Sequence, residues 1–333
     1  MAVGTRRNAL LTVRESRPRR LSRAARFAFA PRAPYSFELT VRKPAGWHWL
    51  ALGEDWDGGA KTLFSATRLE SGLPIGIKAR SSGTLARPRV FVDAFAVRSL
   101  AAAERRELKN LLGRALDVDS DIAGFVRLAR RDAVLKRTLE PLYGMREGNG
   151  AGLWPSLLLT VTLQMAPIKR SMAMLHALQA YYGERLRFED RTISLWPTPA
   201  RIAQTPLREL KNRCKLGYRA RVIKKIARQL AAGFPTLDEL SRMSSEQATA
   251  TLRELYGIGE YSAAMVTPHV AFPLDVWSVQ IFARLLRVRI PRDRDPRESI
   301  PRVQRAAERR WGRWRGLALV YVLNALDRLG VPG

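Results

Sequence analysis

From Tyr35 to about Leu100 apolar and polar residues alternate in short runs. FELTVRK (37–43), HWLAL (48–52), TLFSATRLE (62–70), PIGIKAR (74–80) and PRVFVDAFAV (88–97) are separated by turns carrying Gly or Pro. A period of two predicts strands, and the stretch reads as a small antiparallel sheet. After Ser99 the period lengthens. SLAAAERRELKNLLGRAL (99–116) is amphipathic at helical spacing and suits a helix laid on such a sheet. A second helix is expected after DVDSD, near Asp121, and Asp132 stands where it would cap a third, DAVLKRTLEPLYGM (132–145). From there nearly every segment predicts helix, punctuated by Gly, Pro, Ser or Thr. No repeat at the spacing of a solenoid unit is visible.

A few of these helical stretches carry the functional argument. LWPSLLLTVTLQM (153–165) runs into APIKRSMAMLHALQAYYG (166–183), with an interruption near Pro167. GYRARVIKKIARQLAAG (217–233) is strongly basic on one face. SEQATATLRELY (245–256) and EYSAAMVTPHV (260–270) flank Gly257-Ile258-Gly259, and VWSVQIFARLL (276–286) follows with Asp275 at its mouth.

Two helices joined by a short turn with glycines two apart make a helix-hairpin-helix. Gly257 and Gly259 are expected to let the backbone reverse, and Ile258 to plug the turn into the core. The amides that open the second helix then face outward and offer an anion site that a phosphate fits. Such a grip holds backbone and not bases, so it carries no sequence information. An ordinary helix–helix turn with a glycine C-cap has the same pattern. Asp275 also has two readings. It is a favoured N-cap residue, worth roughly 1 kcal/mol. It is equally a carboxylate beside the hairpin, able to stabilise positive charge on a sugar and to orient or deprotonate a water. One residue can serve both ends.

Charge changes the weight of these readings. The chain has 333 residues, 46% of them hydrophobic, enough for two or three packed domains. Lys and Arg number 58 against 30 Asp and Glu, a net charge of +28. That excess seeks a polyanion, nucleic acid foremost. The basic stretch with Arg219, Arg221, Lys224, Lys225 and Arg228 is then either a solvated face or a surface that neutralises phosphates. The single cysteine, Cys214, excludes a disulfide within the chain and any Cys-ligated zinc or iron–sulfur centre. His48, His176 and His269 are widely spaced, so no metal site is expected. No apolar run reaches membrane-spanning length, and the chain reads as intracellular with no membrane partner. Residues 1–34 hold nine Arg and one acid, Glu15, and are expected to form a basic, disordered extension. Three readings of it stand: a DNA-contacting arm, an over-extended start, and a targeting peptide for organelle import.

LRELYGIGEYSAAM (252–265) followed by PLDVWSVQIFARLL (273–286) resembles the helix-hairpin-helix–Gly/Pro–Asp superfamily of DNA glycosylases. The hairpin is Leu255 to Ala264, Pro273 supplies the proline of the loop, and Asp275 falls at the catalytic aspartate. KLGYRARVIKKIA (215–227) and AERRWGRWRGLALVYVLNA (307–325) are similar to further family segments. LTVTLQMAPIKRSMAML (159–175) is similar to the stretch whose side chain fills the gap left by a flipped base. The resemblance covers roughly residues 105–330 and points to the 3-methyladenine DNA glycosylase II and 8-oxoguanine glycosylase branches.

The resemblance implies an α+β fold. A small N-terminal antiparallel sheet domain with one helix (35–115) would precede an all-helical body (116–333) holding the hairpin at 252–265. It implies that Asp275 is catalytic and that Gly257, Gly259, Tyr261, Ser262, Gln164, Met165, Arg219 and Lys224 meet DNA. Tyr261, Met265 and Trp277 would line the base pocket. Helical period alone would make Met165 core, and Trp277 reads as core or pocket. One departure bears on chemistry. Lyase members carry a lysine where this chain has Tyr261, and no Lys lies between Leu255 and Asp275. A phenol cannot form a Schiff base, so the implied enzyme is monofunctional, with water as nucleophile. An aromatic ring there suits an electron-poor alkylated purine. The implied substrate is 3-methyladenine, with 8-oxoguanine as the alternative; a non-catalytic lesion- or DNA-binding protein is the reading from another class. No cofactor is required, and a monovalent cation at the hairpin is left open. The expected partner is double-stranded DNA containing damaged bases. A monomer is expected, located with chromosomal DNA in cytoplasm, nucleoid or nucleus.

Overall fold

The period-two pattern of SRAARFAF builds the first long strand. β1 (Arg19–Arg20) leads into β2 (Ser22–Phe29), whose Ala25, Phe27 and Phe29 face inward while its arginines face out. The computed structural model describes residues 17–45, 54–148, 152–269 and 271–331. β3 (Asp55–Asp57), β4 (Thr62–Arg68), β5 (Pro74–Gly83) and β6 (Pro88–Ala96) complete a five-stranded antiparallel sheet of order β2-β6-β5-β4-β3. Arg26 lies opposite Asp93 in that register and forks onto both its carboxylate oxygens at 2.6 and 3.2 Å.

The disordered extension expected up to residue 34 is therefore corrected from residue 17 onward. Its arginines read as a charged tail, but the apolar residues between them alternate, and alternation is what a half-buried strand needs. Residues 1–16, and the strand expected at 48–52, lie outside the described residues. A second correction concerns FELTVRK. It is a short helix, α1 (Phe37–Val41), with the Ser36 hydroxyl accepting the Leu39 amide at 3.4 Å. Phe37, Thr40 and Val41 are its buried residues, a spacing of three and four that a five-residue run cannot distinguish from alternation by eye. α2 (Ala102–Leu116) lies on the sheet, as its period predicts. Leu108, Leu112, Ala115 and Leu116 pack with Phe27, Ile75, Ile77 and Val92.

α3 (Ala123–Arg131) and α4 (Leu135–Leu139) begin at carboxylates. Asp121 accepts the Ala123 amide at 2.8 Å, and Asp132 accepts those of Val134 and Leu135 at 2.9 and 3.0 Å. α5 (Leu153–Leu163) and α6 (Ile168–Tyr182) follow. The body is then not wholly helical. β7 (Arg185–Phe188) and β8 (Arg191–Ser194) form a hairpin, and β1 adds to β7 in parallel. Phe188 stacks on Phe95 of the first sheet at 4.9 Å and lies so close to Gly76 that a Cβ there would sit 2.5 Å from its ring. The hairpin therefore seals the sheet domain to the body. Its two four-residue strands alternate as RLRF and RTIS, too briefly to stand out between helices.

The remaining elements are α7 (Pro199–Gln204), α8 (Leu207–Arg213), α9 (Arg219–Ala231), α10 (Leu237–Arg242), α11 (Ser245–Arg253), α12 (Glu260–Val266), α13 (Ser278–Leu285), α14 (Ile300–Trp311), α15 (Arg315–Leu323) and α16 (Leu326–Leu329). They divide between two apolar cores. One holds Leu157, Leu175, Ile223, Leu252 and Ile258 from α5–α12. The other holds Phe125, Phe282, Trp311 and Tyr321 from α3 and α13–α15. The loop between α12 and α13 crosses from the first core to the second. Among the described residues no helix is long and apolar enough to cross a membrane.

Candidate active site

Gln229 of α9 fixes the approach to the hairpin. Its amide donates to the Glu254 carbonyl at 3.1 Å and accepts the Tyr256 N–H at 3.0 Å. At Gly257 the backbone turns left-handed, φ +77°, and a Cβ would stand 2.9 Å from Val222 of α9. Glycine is demanded there twice, by conformation and by space. Gly259 differs from expectation. Its φ is −91°, so Gly257 alone makes the reversal. A Cβ at Gly259 would meet nothing within 4 Å, so the residue leaves open the space in front of α12. Ile258 is 5% exposed and plugs the turn into the first helical core, as predicted. No side chain caps α12, which leaves its leading amides without an intrahelical acceptor. Ser262 is buried, so its side chain is not presented to DNA as expected.

Asp275 is held from both sides. Phe272 and Leu274 sink into the second core, and Gln304 donates to the Phe272 carbonyl at 3.1 Å. Asp275 Oδ1 accepts the Trp277 and Ser278 amides at 3.1 and 2.7 Å and the Ser278 hydroxyl at 2.6 Å. The Ser278 oxygen in turn accepts the Asp275 N–H at 2.8 Å. The N-cap reading therefore holds. It occupies one carboxylate oxygen, and Oδ2 has no hydrogen-bond donor among the described residues. Asp275 itself is half-buried.

Tyr261, on the other side of the core boundary, feels this carboxylate. Burial first, and then the negative charge of Asp275, push its phenol up to about 12. The two groups thus sense each other electrostatically across that boundary. Trp277 is 45% exposed beside them, which removes the core reading of that ring. Met265 is half-buried and packs against the core beneath the hairpin.

Gln164 and Met165 form the turn between α5 and α6. Met165 is 91% exposed with φ +50°, so the core reading from helical period fails. The helix ends at Leu163 instead, and Met165 stands on a left-handed corner. Gln164 ties this corner to the hairpin by donating to the Gly257 carbonyl at 3.1 Å.

Two expected DNA contacts are corrected. Arg219 is 4% exposed and donates to the Gln164 carbonyl. Lys224 turns onto the Ala203 carbonyl at 2.7 Å and that of Thr205, at the end of α7, and burial lowers its pKa. Lys224 lies on the basic face with Arg221 and Arg228 but folds back to satisfy carbonyls at a helix end, whereas Arg219 lies on the opposite, buried side of α9. Arg221 and Arg228 remain exposed on α9. Sequence reasoning missed Ser278, although an Asp with Ser three positions on has the spacing of a reciprocal cap. The Gln164–Gly257 bond spans 93 residues and leaves no local signal. Among the described residues no three of His, Cys, Asp and Glu gather as metal ligands.

No family model matches the chain. It is 24% identical over 235 residues to a Bacillus subtilis (strain 168) protein named DNA-3-methyladenine glycosylase, covering 67% of this chain and 73% of that one. Its structure superposes with a TM-score of 0.71 on a 3-methyladenine DNA glycosylase from Archaeoglobus fulgidus, at 19% identity, over 91% of this chain and 98% of that one. The fold is that of the helix-hairpin-helix DNA glycosylases. An 8-oxoguanine glycosylase/lyase from Clostridium acetobutylicum, bound to double-stranded DNA with cytosine opposite 8-oxoguanine, shares this glycosylase fold at a TM-score of 0.58 and 17% identity, over 80% of this chain and 89% of that one. Within the glycosylase fold, Asp275 and the hairpin occupy the boundary between the two helical cores, and the corner at Met165 is bonded to that hairpin.

Proposed function

We propose that this chain is a monofunctional DNA glycosylase that hydrolyses the N-glycosidic bond of an extruded damaged base, an alkylated purine such as 3-methyladenine. The observation that carries the reading is the one-sided carboxylate of Asp275. Oδ1 is locked by two amides and a hydroxyl, and Oδ2 is left for the reaction. A target base cannot be reached inside a duplex and must be extruded, at a cost of a few kcal/mol of stacking. The exposed Met165 fills the vacated space, and the open amides of α12 hold the strand by phosphate.

The chemistry follows from charge. Alkylation at a purine ring nitrogen leaves the base positively charged, so it departs as a neutral molecule and takes the glycosidic electron pair. Positive charge then develops on the sugar. Asp275 Oδ2 stabilises it and orients or deprotonates the attacking water. Tyr261 and Trp277 offer rings to the electron-poor base, with Met265 behind them. Tyr261 stays a neutral phenol and forms no Schiff base, so the product is an abasic strand. Exposed arginines such as Arg221, within a net charge of +28, draw the protein to chromosomal DNA. The name of the Bacillus subtilis relative supports the alkylated purine over 8-oxoguanine.

The test is a panel of duplexes, each with one lesion, scored for base release. Release from alkylated purines is expected. Release from none would leave a lesion- or DNA-binding protein.

A further inference from the structure

The corner that carries Met165 is fastened more firmly than a surface turn requires. The Gln164 carbonyl accepts two donors from the start of α9: the Tyr218 hydroxyl at 3.3 Å, and the Arg219 guanidinium. The Gln164 side chain donates to the Gly257 carbonyl at 3.1 Å. Arg219 also lies under the Tyr218 ring, 4.6 Å from its centroid. Arg219 is buried, no carboxylate pairs with it among the described residues, and its Nε has no partner. A desolvated cation of this kind holds an acceptor strongly, and here the main acceptor is one peptide carbonyl. That peptide immediately precedes Met165, whose left-handed φ of +50° is uncommon for a side-chain-bearing residue.

We infer that Tyr218 and Arg219 are positioning residues that latch the Gln164–Met165 corner, so that the exposed methionine and the glycine hairpin act on DNA as one rigid unit. This rests on the glycosylase reading. Extrusion needs the intruding side chain and the phosphate grip to act at a fixed separation, because the strand must be held while the base is displaced. A corner free to relax to right-handed backbone would swing Met165 away from the hairpin. The Gln164–Gly257 bond sets the separation, and the two donors on the Gln164 carbonyl keep the peptide plane from flipping. Neither residue touches the reacting atoms in this scheme.

The experiment separates extrusion from chemistry. Extrusion is read by the fluorescence of 2-aminopurine placed next to a 7-methylguanine in a duplex, with Asp275→Asn present to stop cleavage. Single-turnover base release is read in the wild-type background. Tyr218→Phe loses one hydroxyl from an exposed ring and keeps the fold; Arg219→Lys keeps the charge and loses the fork. Each is expected to lower the fluorescence rise and to slow release by about three- to tenfold, the worth of a hydrogen bond. Affinity for undamaged duplex is expected to stay unchanged. With the 7-methylguanine in a single-base bulge, where pairing is already lost, the defect should largely disappear. Wild-type rates in both variants, or an equal defect on paired and bulged substrate, would overturn the latch. A wild-type protein inactive on every duplex would overturn the glycosylase reading beneath it.

Discussion

Three hydrogen bonds join Asp275 and Ser278, two of them through the Ser278 hydroxyl. The Ser278 hydroxyl donates to Asp275 Oδ1 at 2.6 Å and accepts the Asp275 N–H at 2.8 Å. This reciprocal cap also fixes where the free oxygen points, so in the proposed mechanism the helix start and the chemistry share one side chain. Asp275→Asn keeps the shape and removes the charge. Base release is expected to fall about a hundredfold or more, the scale of losing a preorganised electrostatic group. Affinity for damaged duplex should change little. Ser278→Ala should cost about 1 kcal/mol of stability in a denaturant titration. Its release rate should drop less than that of Asp275→Asn, because two amides still hold Oδ1. Unaltered excision by Asp275→Asn would remove the residue from the mechanism.

The two hairpin glycines should behave oppositely. Gly257→Ala meets both a left-handed backbone and Val222, and should lose roughly 1–3 kcal/mol of stability. Gly259→Ala meets neither, and its stability should stay within about 0.5 kcal/mol of wild type. Its new methyl group projects in front of the α12 amides, so duplex affinity should fall without loss of fold. Thermal melts and a binding titration on both variants decide this. A Gly259→Ala protein with full affinity would mean that the strand is held elsewhere.

Tyr261 gives an alkaline signature. Its phenol is pushed up to about 12, whereas an unfolded tyrosine titrates near 10. The folded state thus keeps a proton that the unfolded chain gives up. The stability from this group is complete below about pH 10 and is lost as pH rises towards 12. Burial raises Tyr35, Tyr182 and Tyr321 in the same direction, so the loss should be steep. Tyr261→Phe should shallow the fall of melting temperature over that window. Borohydride should trap no covalent complex with the wild type, and the abasic strand should stay intact until alkali is added.

Two neighbouring cations on α9 should separate by salt. Arg221 is exposed and has no carboxylate or carbonyl partner among the described residues. Arg221→Met should weaken duplex binding and reduce the salt slope by about one. Lys224 already serves the end of α7. Lys224→Met should lower stability and leave the slope unchanged. Equal slopes for both variants would remove α9 from the DNA surface.

How far these features were legible depends on their range. Local patterns read well. The capping carboxylates at Asp121 and Asp132, the plug at Ile258 and the sheet strands at 62–96 follow from spacing alone. The direction of long side chains did not. Lys224 shares a helix face with Arg221, and only the carbonyls of Ala203 and Thr205 at the end of α7 decide that it turns inward, whereas Arg219 stands on the opposite side of α9, against the end of α5. Met165 was ambiguous because a helical period says nothing of where the helix stops. Residues 22–29 carry a weak strand signal, because Ala24 and Ala28 interrupt the alternation of Ala25, Phe27 and Phe29 and arginines flank it.

That strand has a practical consequence. β2 covers one side of β6, and β1 reaches across to the hairpin at 185–188. A recombinant version trimmed to begin near Tyr35, where sequence inspection would cut, would strip both away. Val90, Val92 and Ala94 would then border an unpaired strand edge, a template for pairing with another copy. Such a preparation is expected to collect in inclusion bodies, whereas one begun before Arg17 should remain in the supernatant.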